Sequence, residues 1–181
     1  FRRFGHTVRL MAPKFVIPYR LSGKRGKNDA ADAAAICEAV RRPHMRFVPV
    51  KEEHQQVILA LHRTRTGFVE ERTATYNRLR GLISEFGIVC PQKIAGLRRA
   101  LIEHLEALPG YVNRCVGDLL AHADALEVRI AEYDRIIREA AKADARSRRL
   151  MDLPGIGPNT ASALLASLGT GHDFKNGRQV A

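Results

Sequence analysis

The stretch "VNRCVGDLLAHADALEVRIAEYDRIIREA", Val112 to Ala140, decides the fold class. Val112, Val116, Leu119, Ala123, Leu126, Ile130, Tyr133, Ile137 and Ala140 step by four and three alternately. Sustained over about four heptads, this a/d stripe has the period of a coiled coil. An amphipathic helix in a bundle has the same spacing. Upstream, Ile58, Leu61, Phe68, Leu79, Leu82 and Phe86 fit one face of another long helix, running from Glu52 to Pro91. Arg65 and Arg72 interrupt that face. A shorter amphipathic helix, Ile94 to Leu108, lies between them and is closed by Pro109-Gly110. Two long helices joined through a short one predict an antiparallel helical arm. The region carries no cluster of acids or histidines that would suggest chemistry, and reads as a scaffold for interaction.

Ahead of the arm the period changes. His6 to Ala12 sets Val8, Leu10 and Ala12 against Thr7, Arg9 and Met11, a strand alternation that Pro13 ends. Residues 14–28 read as a loop, rich in glycine and basic residues and interrupted by Pro18. A helix is expected from Asp29 to Arg42, stopped by Pro43. Arg46 to Val50 reads as a short strand, placed near a sheet edge by Pro49. Strand, helix, strand is the pattern of an α/β portion. The chain opens without Met and stops at Val180-Ala181 without a closing signal, so a piece of a longer protein is expected.

The 181 residues carry 30 Lys plus Arg against 19 Asp plus Glu, a formal charge of +11. Such an excess suits a polyanion, most often nucleic acid. It is unevenly spread: from Phe1 to Asn28 there are eight basic residues and no acid. A one-sign block of this kind resembles a phosphate-tracking surface. Cys37, Cys90 and Cys115 are far apart and form no C-x-x-C, which argues against a disulfide framework or a zinc site and for a cytoplasmic setting. No apolar run approaches the roughly 18 residues of a membrane span.

"RLMDLPGIGPNTASALLASLG", Arg149 to Gly169, is a second punctuated unit. A short helix reaching Leu153, a Pro154-Gly155-Ile156-Gly157 turn, and a second helix with Pro158 in its first turn make a helix-hairpin-helix pattern. Bare amides at Gly155 to Gly157, with Asn159 and Thr160 at the following helix N-terminus, can hold phosphate oxygens. The competing reading is an ordinary turn between two helices.

"GKNDAADAAAICEAV", residues 26–40, poses the chemical question. Asp29 at N-cap and Asp32 at N3 would start the helix and complement its dipole. Spacing alone favours that packing role. The same i, i+3 spacing puts two carboxylates on one helix face with Cβ atoms about 5–6 Å apart. Such a pair suits Mg²⁺, and paired metals can assist phosphodiester cleavage. Lys24, Arg25 and Lys27 would then hold the nucleic-acid phosphates. A complete metal site needs at least one further carboxylate.

In the order of "KNDAADAAAICEAVRRPHMRFVPVK" (Lys27 to Lys51), the long helices, and "LPGIGPNTASALLASLG" (Leu153 to Gly169), the chain resembles DEDD-type insertion-sequence transposases of the IS-one-ten group. The resemblance implies a mainly α chain with an α/β N-terminal portion. Residues 1–50 would be the tail of an RNase H-like (Holliday-junction-resolvase-like) catalytic domain, 51–147 a helical coiled-coil region, and 148–181 the helix-hairpin-helix start of a C-terminal transposase domain. It also implies a D-E-D-D set binding Mg²⁺ (or Mn²⁺), whose last two acids match Asp29 and Asp32. The first Asp and the Glu would lie upstream of Phe1, and a serine nucleophile downstream of Ala181. Ser162 and Ser167 do not match that serine. Implied partners are DNA, a structured guide RNA, and further copies of the chain, as a dimer or tetramer joined through the coiled coil. Residues 1–181 alone are expected to be inactive. The alternative is a non-catalytic helix-hairpin-helix nucleic-acid-binding module with a coiled-coil arm.

Overall fold

A computed structural model describes residues 1–20, 28–172, 174 and 176–179. It is mainly helical and falls into two compact units, one of residues 1–52 with 171–181 and one of residues 53–170.

In the first unit, strand β1 (Leu10–Met11) is followed by helix α1 (Pro13–Val16), a 3-10 turn (Ile17–Tyr19), helix α2 (Asp29–Val40) and strand β2 (Phe47–Val48). The expected strand–helix–strand order is present, but both strands are shorter than their alternation suggested. They pair antiparallel, Leu10 opposite Val48 and Met11 opposite Phe47. Pro49 has no N–H to give, so the ladder stops there, and among the described residues His6 to Arg9 have no partner strand. Residues 14–19, the described start of the loop expected over 14–28, lie in helical turns instead. Pro13 is preset for the first helical position, and Pro18 stands second in the 3-10 turn, where its missing N–H is also not needed. Alanine-rich α2 is an intrinsically good helix. It buries Ala35 and Ala39, one turn apart, and ends ahead of Pro43 as the proline requires.

The second unit is built on α3 (Glu53–Ser84) and α5 (Gly110–Ala143), bridged by α4 (Ile94–His104) and completed by α6 (Ala145–Met151) and α7 (Pro158–Leu168). At 32 and 34 residues, the two long helices each run about 50 Å. They lie antiparallel, with Arg65 against Asp134 near one end and Leu79 and Ile83 clustered with Val116 and Ala123 toward the other. The a/d stripe faces inward along its length. Val116, Ala123, Leu126, Ile130 and Ile137 are buried, and Val112, Leu119, Tyr133 and Ala140 are half-buried. Its seam partner is α3 of the same chain, so these side chains are not free to join a second copy.

α3 ends at Ser84 rather than running on to Pro91, and Phe86 is exposed beyond it. Pro109 is the N-cap of α5 and Gly110 its first residue, so this pair opens a helix rather than closing one. Leu97 and Leu101 of α4 cover Tyr76, Leu79 and Ile83 to make the core. The buried Tyr76 hydroxyl donates to Glu127 (2.7 Å) and accepts from Arg98 (2.6 Å), while Arg98 also pairs with Asp124. A buried tyrosine with its hydroxyl satisfied from two helices fixes their register. Of the two arginines that interrupt the α3 face, Arg65 is paired across to α5. Arg72 is half-buried, with its Nε unpartnered among the described residues.

Candidate metal and nucleic-acid sites

The start of α2 differs from its sequence reading by one residue. Asn28 is the N-cap: its backbone is extended (φ −148°, ψ 162°) and its Oδ1 accepts from the Ala31 amide at 2.7 Å. Asn caps as well as Asp does, and it stands one position earlier. Asp29 is therefore N1 and Asp32 N4, not N-cap and N3. This displaces the packing explanation for Asp29, whose exposed carboxylate is not needed to close the helix. Asp32 instead pairs with Arg20, Nε to Oδ1 at 2.7 Å, and both side chains are substantially exposed. Lys24, Arg25 and Lys27 lie outside the described residues. Replacing Asn28 by alanine should destabilise this unit by about 1 kcal/mol in chemical denaturation. Replacing Asp29 by alanine should have less effect than that, because the cap is intact.

Asp29 and Asp32 are hard oxygen donors of the kind Mg²⁺ takes, on one face of a helix N-terminus. Among the described residues, no group of three or more His, Cys, Asp or Glu side chains stands close enough to hold a metal ion. The donor chemistry fits the ion in kind, but the pair supplies only part of a coordination shell.

The second site is the turn between α6 and α7. α6 stops at Met151, two residues before the expected end. Gly155 takes φ 85°, a conformation that costs an L side chain roughly 1–2 kcal/mol. The Ile156 amide is used within the turn, donating to the Leu153 carbonyl at 3.2 Å. Gly157 is the N-cap of α7 with no side-chain cap, and Pro158 is N1. The amides of Asn159 and Thr160 then stand in the first turn of α7, where a helix has no internal acceptor to offer. Thr160 is exposed at the surface. The Asn159 side chain donates back to Asp134 Oδ1 at 3.3 Å, which leaves its backbone amide in the first turn.

That contact belongs to a polar junction of three helices. Asp134 on α5 accepts from Arg65 on α3 through both oxygens, at 2.5 and 3.3 Å, and from Asn159 on α7. Arg65 first, and then Asn159, holds the Asp134 carboxyl below the ordinary carboxylate range. One turn away, His62 Nε2 lies 3.0 Å from Ser162 Oγ, which itself donates to the Pro158 carbonyl at 2.8 Å. Since the hydroxyl proton is committed to Pro158, the imidazole donates through Nε2–H. Burial, with Arg65 adding to it, pushes His62 below its ordinary value of 6.5. The junction seats the N-terminus of α7, and so the turn, on the long helices. Sequence spacing could not reveal it, because its members stand 25 to 100 residues apart.

The His62 shift has a pH consequence. A histidine with a depressed folded pKa binds its proton more readily when unfolded, so stability rises with pH across the interval between the two values. Stability should therefore fall as pH drops below about 6.5. The difference in denaturation midpoint between pH 7.5 and pH 5.5 should shrink in His62→Gln. An unchanged difference would assign the pH dependence to other groups.

Comparison with known proteins is consistent along the whole chain. A transposase family model of the DEDD type matches residues 2–88, which include Asp29 and Asp32, and a second, for the transposase IS116/IS110/IS902 family, matches residues 147–181, which include the turn. A "Probable family 20 transposase" of Pseudomonas aeruginosa is 44% identical over 99% of this chain and 54% of its own length. The "Transposase for insertion sequence element IS1328" of Yersinia enterocolitica is 40% identical over 97% of this chain and 52% of its own. The corresponding IS1111A transposase of Coxiella burnetii is 33% identical over 99% and 50%. The chain spans about half the length of the curated relatives it matches. No solved structure matches it. With one family model over each of the two candidate sites and named relatives covering nearly every residue, the chain belongs to the IS116/IS110/IS902 family of insertion-sequence transposases.

Proposed function

We propose that the chain is part of a DNA transposase that cuts and exchanges strands of its insertion sequence with the help of a divalent metal. The observation that carries this reading is the pair Asp29 and Asp32 at the start of α2, inside the segment matched by the DEDD-type model, with Asn28 doing the capping. Asp29 and Asp32 act as two of the metal ligands, and Mg²⁺ or Mn²⁺ bound there would activate a nucleophile and neutralise charge on the leaving oxygen. Arg20 neutralises Asp32 in the absence of the ion. Residues 1–50 serve as the end of an RNase H-like domain, 51–147 as a coiled-coil arm, and 148–181 as the opening of the C-terminal transposase domain. Lys24, Arg25, Lys27 and the turn at Gly155–Thr160 contact nucleic-acid backbone, and a structured guide RNA selects the DNA. Copies assemble through a surface of the arm other than the buried stripe.

Two carboxylates do not make a complete site, so residues 1–181 by themselves should not cleave DNA. Strand cleavage by this chain that disappears in Asp29→Asn would contradict that. The turn is tested separately with Gly157→Glu. Gly157 has an ordinary φ and open space where a Cβ would stand, so the variant should fold. Its carboxylate would meet phosphate, and duplex affinity by fluorescence anisotropy should fall at least about tenfold, a loss of roughly 1.4 kcal/mol. Unchanged affinity would leave the turn as a simple connector.

A further inference from the structure

We propose that a basic ridge on the C-terminal end of α5 and on α6, made by Arg138, Lys142, Arg148 and Arg149, is a second contact surface for nucleic-acid backbone, separate from the Gly155–Gly157 turn. It rests on the reading that the chain binds nucleic acid and adds a surface to it.

From Arg135 to Asp152 there are six basic residues and three acids. Two of the six are neutralised locally: Arg135 pairs with Glu139 and Arg146 with Asp144, both at 2.8 Å. Among the described residues, Arg138, Lys142, Arg148 and Arg149 have no carboxylate within ion-pair distance, and all four are exposed, although Arg138 still acts on the charge of Asp134 one turn before it. Arg138 and Lys142 are i and i+4 on α5, on one face with Cβ atoms about 5–6 Å apart. That face adjoins the buried positions Ile137 and Ala141, which pin the helix beneath it. Arg148 extends the ridge across the helix break. Its Nη1 donates to the Lys142 carbonyl at 2.8 Å, which uses one of five guanidinium N–H groups and leaves the others for a ligand. Arg149 follows on α6, which runs directly into the turn.

The charge not taken up in close ion pairs is therefore concentrated where the helical arm meets the turn. Arginine forks match phosphate oxygens with two donors, and three of the four residues are arginine. Self-repulsion among four cations without a close ion pair opposes folding, and a polyanion relieves it. A row of cations on rigid helices, with no aromatic or amide group among the four, suits backbone contact without base reading.

The test is a salt titration of binding by the full chain to a fluorescent DNA duplex and, in parallel, to an RNA hairpin. Each phosphate contact contributes about 0.9 to the slope of log affinity against log salt on a duplex. The variant R138Q/K142Q/R148Q/R149Q should flatten that slope by about 3 to 4 and weaken binding at least about tenfold at low salt. R138Q/K142Q/R149Q keeps the Arg148 bond to the end of α5 and should flatten it by about 2 to 3. A matched variant toward the opposite end of the long helices, R78Q/K93Q/R99Q/R114Q, removes the same charge and should change the slope by less than half as much. Equal effects of the ridge and matched variants would overturn the proposal, leaving only net charge. A ridge variant with unchanged slope and a Gly157→Glu variant with lost binding would overturn the ridge and keep the turn. The reverse pattern would keep the ridge and discard the turn. No binding by the unsubstituted chain to either probe would remove both. A slope change on one probe alone identifies which nucleic acid the ridge holds.

Discussion

In a protein of the relatives' full length, Asp29→Asn and Asp32→Asn should each reduce excision of the insertion sequence by more than about a hundredfold. Even outer-shell partners of metal ligands are worth about 10- to 100-fold, and a ligand carboxylate is worth more. The amide keeps the shape of the side chain and removes its charge. Asn28 still caps α2 through the Ala31 amide, so the helix should remain. Asp32→Asn also releases Arg20, an exposed pair that contributes little to stability. The melting temperature should thus move by no more than a few degrees while excision is lost. Excision within threefold of the unsubstituted protein would return both residues to ordinary helix-start positions. Lost excision together with lost duplex binding would point to a nucleic-acid contact rather than to metal chemistry.

Leu79→Ala should have the largest effect on stability, about 3 kcal/mol in the range known for buried leucines. Leu79 is fully buried where α3, α4 and α5 meet, among Ile83, Leu97, Leu101 and Val116. Truncation there loses transfer energy and leaves a cavity that three packed helices cannot readily close. For a unit of this size the melting temperature should fall by about 10 °C. Val128 lies on the same arm but is 70% exposed, and Val128→Ala should stay within about 0.5 kcal/mol. A loss below 1 kcal/mol at Leu79 would show that α4 does not cover the long helices as described.

The long helices were legible because their signal is local and repeated. Nine stripe positions in α5 agree with one period, no proline falls among them, and Gly117 lies off the stripe on the exposed side. What the period could not say was which surface would cover the stripe, and that surface proved to be α3 of the same chain. The strands were overread because alternation in His6 to Ala12 reports what one segment could do, whereas pairing depends on a partner that Pro49 cuts short. Asp29 was misplaced by one residue because Asn and Asp cap equally well, and only the backbone shows which of two neighbours turns extended. The Arg65–Asp134–Asn159 and His62–Ser162 contacts left no local trace. Arg65 looked like an interruption of an apolar face, and only its partner on α5 explains why a charge sits there.

Asp32→Cys in the full-length protein, compared in Mg²⁺ and in Mn²⁺, tests the metal reading most directly. A thiolate is a poor ligand for Mg²⁺ and a better one for a softer transition ion. The account predicts DNA cleavage lost in Mg²⁺ and recovered in Mn²⁺ for Asp32→Cys, with the unsubstituted protein active in both. Cleavage by the cysteine variant that is equal in the two ions, or absent in both while Asp32→Asn stays active, would contradict a metal ligand at this position.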